Sequence, residues 1–145
     1  MVDDADYETL NQFKWCAHNI YGRWYAQTRI DSKPIKMHRF LLQPAPGDSV
    51  DHVDCNGLNN QRANLRVCTQ SENNRNSRKR RTKTSSSYKG VAFNKNAKKW
   101  QAYISVTGHR IHLGYFVKET DAALAYNRAA TNYFSSFARL NVVKR

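Results

Sequence analysis

Asp51 and His52 stand side by side at the start of the stretch DHVDCNGLNNQRANLRVCTQSENNRN, residues 51–76, and Asn73 stands near its end. Those residue types suit phosphodiester hydrolysis, which needs a base for water and positive charge beside the phosphate and the leaving oxygen. His52 is the candidate base, because an unperturbed imidazole with a pKa near ~6.5 is neutral yet protonatable at cellular pH. Asp51 and Asn73 are hard oxygen donors, the type that binds Mg2+, or Mn2+ in its place, through few protein ligands and several waters.

The elements that must hold these groups follow from the pattern around them. Residues 50–53 alternate as a short strand, an Asn-rich polar loop follows, and residues 65–68 resume a strand. Thr69 and Glu72 then form a capping box that opens a helix carrying Asn73. Neighbouring strand residues point to opposite faces, so Asp51 and His52 serve one site only if the strand is irregular. A bulge is therefore expected beside them.

With these residues in hand, the stretch resembles the HNH endonuclease motif, a beta-beta-alpha-metal site, and the segment Met37 to Leu41 resembles the one that precedes it in phage and intron-encoded members. The resemblance implies that Asp51 is the first metal ligand, His52 the general base, Asn73 the ligand on the helix, and Asn64 the residue that braces the base and its loop. Cys55 stands where glycine is common, at none of the matched functional positions. Upstream, residues 23–30 alternate as a strand, Asp31 to Pro34 supplies a turn, and residues 35–37 return. That hairpin is expected to be structural, with Trp15, Trp24, Phe40, Leu41 and Leu42 sharing a core. His38 and Arg39 read as scaffold.

Charge divides the chain of 145 residues unevenly. Residues 1–70 hold eight Lys/Arg and eight Asp/Glu, whereas residues 71–145 hold sixteen against three and so carry the whole net charge of +13. Such asymmetry is the footprint of a polyanion partner, nucleic acid ahead of an acidic membrane surface as its rival, and the resemblances narrow it to double-stranded DNA. Arg75, Arg78, Lys79, Arg80 and Arg81 fall in a run without aliphatic anchors, expected to be an extended, phosphate-tracking linker. Three cysteines without CxxC spacing indicate neither a disulfide framework nor a zinc site, and reduced thiols in a cytoplasmic, intracellular setting are the expectation. The acidic start and lack of a long apolar run speak against a signal peptide and a membrane span.

Beyond residue 88 the pattern becomes three strands and a helix. Trp100, Ala102, Ile104 and Val106 face one way, continued by Ile111 and Leu113, while Tyr103, Ser105, Arg110 and His112 share the polar face with Gln101. Ala122, Tyr126, Ala129 and Tyr133 recur at helical spacing, so a helix covers the apolar face. This half resembles the plant ethylene-response-factor (Apetala-two) DNA-binding domain, through Tyr88 to Val91, Lys99-Trp100, Leu113 to Phe116, the alanine-rich helix and Leu140-Asn141. The resemblance implies DNA contacts at Lys89 and Arg110, with Ala92, Asn94 and Ser105 where that family often has Arg, and His112 where it often has Trp.

The expected architecture is α+β: an N-terminal beta-beta-alpha-metal module with a leading hairpin over residues 1–76, a basic linker over 77–87, and a three-stranded antiparallel sheet packed on one helix over 88–145. The expected activity is metal-dependent DNA nicking of the homing type by a monomer or homodimer. A sequence-specific DNA-binding regulator with an inactive nuclease module is the alternative, and an RNA-binding or architectural protein a third reading. No catalytic triad, phosphate-cradling glycine loop or metalloprotease helix points to other chemistry.

Overall fold

The structure is a computed structural model, and it describes residues 1–79 and 84–143. Two compact units divide the chain, Met1–Asn74 and Arg75–Arg145.

In the first unit, helix α1 (Asp4–Leu10) carries Asp4 and Asp6 in its first turn, where carboxylates complement the helix dipole. Strands β1 (Cys16–Ile20), β2 (Arg23–Ile30) and β3 (Lys33–Lys36) form an antiparallel sheet in that order. Asp31 and Ser32 both take left-handed backbone, the geometry of a two-residue hairpin turn. The turn is thus shorter than expected, and Lys33 and Pro34 lie in β3, an edge strand that tolerates a missing N–H. Phe13, Trp15 and Phe40 pack edge-on with centroids 5.3–6.2 Å apart, and the Trp15 indole donates to the Leu10 carbonyl. Trp24 does not join that core. It lies one ladder step from the β1–β2 turn and is half exposed.

Helix α2 (Met37–Leu42) buries Met37 and His38 and stops at a left-handed Gln43 before Pro44. Strands β4 (Ser49–His52) and β5 (Leu65–Cys68) pair antiparallel in unbroken register, with Asp51 opposite Arg66 and His52 opposite Leu65. Helix α3 (Gln70–Asn76) opens with the expected capping box: Thr69 N–H donates to Glu72 Oε2 at 2.9 Å and Glu72 N–H to Thr69 Oγ1 at 3.2 Å.

The second unit has the expected sheet, β6 (Val91–Asn94), β7 (Lys99–Val106) and β8 (His109–Phe116), covered by helix α4 (Glu119–Phe134). Val91, Ala102 and Ile104 are buried against Ala122, Ala123 and Tyr126, small helix residues that allow close approach. Ala102 pairs with Gly114 and Tyr103 with His112, so Leu113 is a bulged residue that packs on this core.

Residues 77–79 and 84–87 differ from the extended linker expected of them. The Lys79 ammonium donates to the carbonyls of Ser86 and Tyr88 at 2.8 and 2.7 Å, and buried Ser86 donates to Glu119 at 2.7 Å. A cation satisfying bent backbone belongs to the fold, and burial lowers the Lys79 pKa.

Candidate active site

The β4–β5 ribbon sorts its side chains by alternation. Ser49, Asp51, Arg66 and Cys68 share one face, and Val50, His52, Leu65 and Val67 share the other. The bulge expected beside Asp51 and His52 is absent, because an unbroken ladder satisfies this short ribbon. The two side chains accordingly leave the strand in opposite directions.

On its own face, His52 is buried and its ring lies 4.9 Å from that of His38 and 6.1 Å from that of Tyr25. Nε2 donates to Asn60 Oδ1 at 3.3 Å, and Asn60 is 1% exposed. Burial pushes the His52 pKa below the usual histidine value, while the Asn60 hydrogen bond and the Asp54 and Asp51 carboxylates pull partly the other way. The result is an oriented imidazole that is neutral at physiological pH. His38 is the buried scaffold expected of it, with its pKa lowered to about 3 by burial and by the charges of His52, Lys36 and Arg39.

Asn64 knits the loop, its Oδ1 accepting from the Asp54 N–H at 3.0 Å and its Nδ2 donating to Asp54 Oδ1 and the Asn59 carbonyl. Asp54 gathers three asparagines, and hydrogen bonds from Asn59, Asn56 and Asn64 overcome the effect of burial to hold its pKa low. Asn60 is the residue that sequence reasoning missed. Four asparagines crowd positions 56–64, and nothing in their identity distinguishes the one that turns inward.

The loop is pinned from outside as well. The Asn60 N–H donates to the Met1 carbonyl at 2.8 Å, the Arg62 N–H to Asp3 at 2.7 Å, and the Arg62 guanidinium forks onto Asp6. At Gly57 a Cβ would overlap the Trp24 carbonyl and the Tyr25 ring, so only glycine lets the loop seat on β2.

Asp51, also buried, receives two hydrogen bonds from Arg66 on Oδ2, at 2.9 and 2.7 Å. Its face leads to α3: Cys68 lies in the field of Asp51 and Glu72, hydrogen-bonds the Asn73 backbone, and has its pKa raised chiefly by burial. Asp51 supplies a carboxylate on this face, and Asn73 is half-buried on α3. Among the described residues no three His, Cys, Asp or Glu side chains cluster as a metal site.

In the second unit the open sheet face brings together Tyr103, Ser105, Arg110 and His112. The Arg110 guanidinium lies 4.4 Å from the Tyr103 ring centroid, and His112 packs on Tyr115, a half-exposed tyrosine that the sequence reading passed over. Arg78 is exposed, while Arg75 stacks over Phe134. Lys89, expected on DNA, instead points its ammonium at the Arg75 and Ser77 carbonyls at 2.6 and 2.9 Å, and Lys79 is similarly engaged by backbone. Arg80 and Arg81 lie outside the described residues.

A two-stranded ribbon followed by a short helix thus holds a buried histidine and a buried carboxylate at adjacent positions on opposite faces. The HNH endonuclease family model matches residues 44–75, the segment that contains this site. An uncharacterized HNH endonuclease of Acanthamoeba polyphaga mimivirus is 30% identical over 141 residues, covering 92% of this chain and 70% of that protein. No solved structure gives a significant match. The chain belongs to the HNH endonuclease family, and it is a DNA endonuclease. Neither match supplies support for an ethylene-response-factor relationship of the second unit. No helix among the described residues is long and apolar enough to cross a membrane.

Proposed function

We propose that this endonuclease is metal-dependent and of the homing type, and that it nicks one strand of duplex DNA. The observation that carries the reading is the buried His52 imidazole, kept neutral by burial and oriented by Asn60 within the family-matched segment. A neutral base accepts a proton from water as the water attacks phosphorus, and the fixed ring loses little orientational freedom in doing so. Asn64 keeps the loop that carries Asn60 in place. Asp51 and Asn73 are the residues that would hold Mg2+ or Mn2+. Such an ion, when bound, neutralises charge on the phosphate and the departing 3′-oxygen. Asp51 is oriented for this by Arg66, which bonds its Oδ2.

Each chain offers one such base, so one monomer cuts one strand and a double-strand break takes a homodimer or two encounters. The second unit serves as the DNA-holding module: Arg110, Ser105, His112 and the tyrosines of the open sheet face meet the duplex, with Arg78 adding phosphate contact. Supercoiled plasmid incubated with Mg2+ or Mn2+ should convert to open circle, and His52→Ala and a chelator should each abolish it. Intact plasmid under all metals, with retained gel-shift binding, would overturn the nicking mechanism.

A further inference from the structure

The β1–β2 turn breaks a local rule with no packing to compensate. Tyr21 takes left-handed backbone, φ 51°, beside Gly22 at φ 81°, in a two-residue turn where Asn19 Oδ1 accepts the Gly22 N–H. Asn or Gly fills such a position at low cost, whereas a bulky side chain there is strained. Tyr21 gains nothing from burial in exchange, being fully exposed, and next to it Arg23 is exposed and Trp24 half exposed. Other described non-glycine residues with left-handed backbone, such as Asp31, Ser32 and Thr107, are not aromatic.

This tip is rigidly tied to the base. Tyr25, two ladder steps behind the turn, lies against the rings of His52 and His38, and the backbone at Trp24 abuts Gly57 of the loop that carries Asn60. At strand rise the tip projects about 10 Å beyond the Tyr25 ladder position, a span of about three base steps. An aromatic side chain flanked by arginine, held that close to the hydrolytic centre of a DNA endonuclease, matches the chemistry of a wedge: apolar insertion between stacked bases, with a cation for the neighbouring phosphate.

We infer that Tyr21 is a base-step wedge that unstacks the substrate duplex beside the scissile phosphate, with Arg23 on the backbone and Trp24 supporting the opened step. The inference rests on DNA being the substrate and goes beyond the assignment of the hydrolytic residues. Opening a step is costly for the duplex, and the opened step presents the phosphate to His52 in a bent backbone.

The test uses the full chain and Tyr21→Gly, which removes the aromatic ring and relieves the turn, so its thermal midpoint should equal or exceed that of wild type. After mapping a plasmid nick, duplexes carrying 2-aminopurine at successive steps around it are bound in chelator, where fluorescence reports unstacking without cleavage. Wild type should brighten one step and Tyr21→Gly none. With Mg2+ the variant should nick the matched duplex at least about tenfold more slowly and recover on a duplex with a mismatch at that step, where the opening cost is prepaid. Equal fluorescence and equal rates in the two proteins would overturn the wedge, as would a slow variant that the mismatch does not rescue. Absence of any metal-dependent nicking would instead count against the hydrolytic mechanism; 2-aminopurine is then stepped along a duplex that wild type binds in gel shifts, and a flat response across it would dispose of the wedge independently.

Discussion

Acidification should destabilise the first unit, and His38 sets the size of the effect. The ring is buried between His52 and Tyr25, with Lys36 and Arg39 adding positive charge and the Asp51 and Asp54 carboxylates acting on the adjoining His52, and its pKa is about 3. In the unfolded chain it returns to about 6.5. Because the folded state refuses a proton that the unfolded state takes, stability is complete above about pH 6.5 and is lost as pH falls from there toward about pH 3. Between pH 7 and pH 5 the unfolded histidine gains about 1.5 decades of protonation free energy, which at about 1.4 kcal/mol per decade is about 2 kcal/mol. His52, shifted the same way, adds to the total. His38→Phe retains a ring against His52 and Tyr25 but cannot take a proton. Urea unfolding followed by NMR peaks of the first unit at pH 7 and pH 5 should show the wild-type loss shrink by about 2 kcal/mol in the variant. An unchanged loss in His38→Phe, or a His38 imidazole titrating near its ordinary value, would refute the reasoning.

Two further perturbations probe the site from its opposite faces. Asn60→Asp puts a carboxylate on His52 and should raise its pKa by about a unit or more, moving the acid limb of the nicking-rate profile to higher pH, while Asn60→Ala removes a contact that raises the pKa and should move it lower; coincident profiles would contradict the assignment of the base. Arg66→Gln removes the guanidinium from buried Asp51 and should cost about 3 kcal/mol or more in chelator. If Asp51 holds the ion, Mn2+ should raise the variant's thermal midpoint more than the wild type's, and equal responses would exclude it.

Periodicity made the second unit legible: strict alternation through Trp100, Ala102 and Ile104 and alanines at helical spacing reproduce β7 and α4. The capping box at Thr69 was legible for the same reason, since its chemistry is local. What the sequence hid depends on tertiary contact. Alternation already placed Asp51 and His52 on opposite faces, and the expected bulge was an added device the ribbon does not use. The inward turn of Asn60 depends on the Met1 carbonyl nearly sixty residues away, and the inward-pointing lysines depend on bent carbonyls that composition cannot locate. A run of cations reads as a solvated linker until its backbone curvature is known.

The clasp between α1 and the Asn60 loop also orders events during assembly. At seven residues, α1 is too short to persist by itself in water, so it becomes helical on docking to Arg62. Closing contacts between Asp3 or Asp6 and Arg62 requires the intervening chain to be synthesised and its loop-closure entropy overcome, a slow, high-contact-order step. The loop that carries Asn60 should therefore close late in folding. The Asn60 amide hydrogen, sealed by that last contact, should exchange with solvent only when the whole first unit opens.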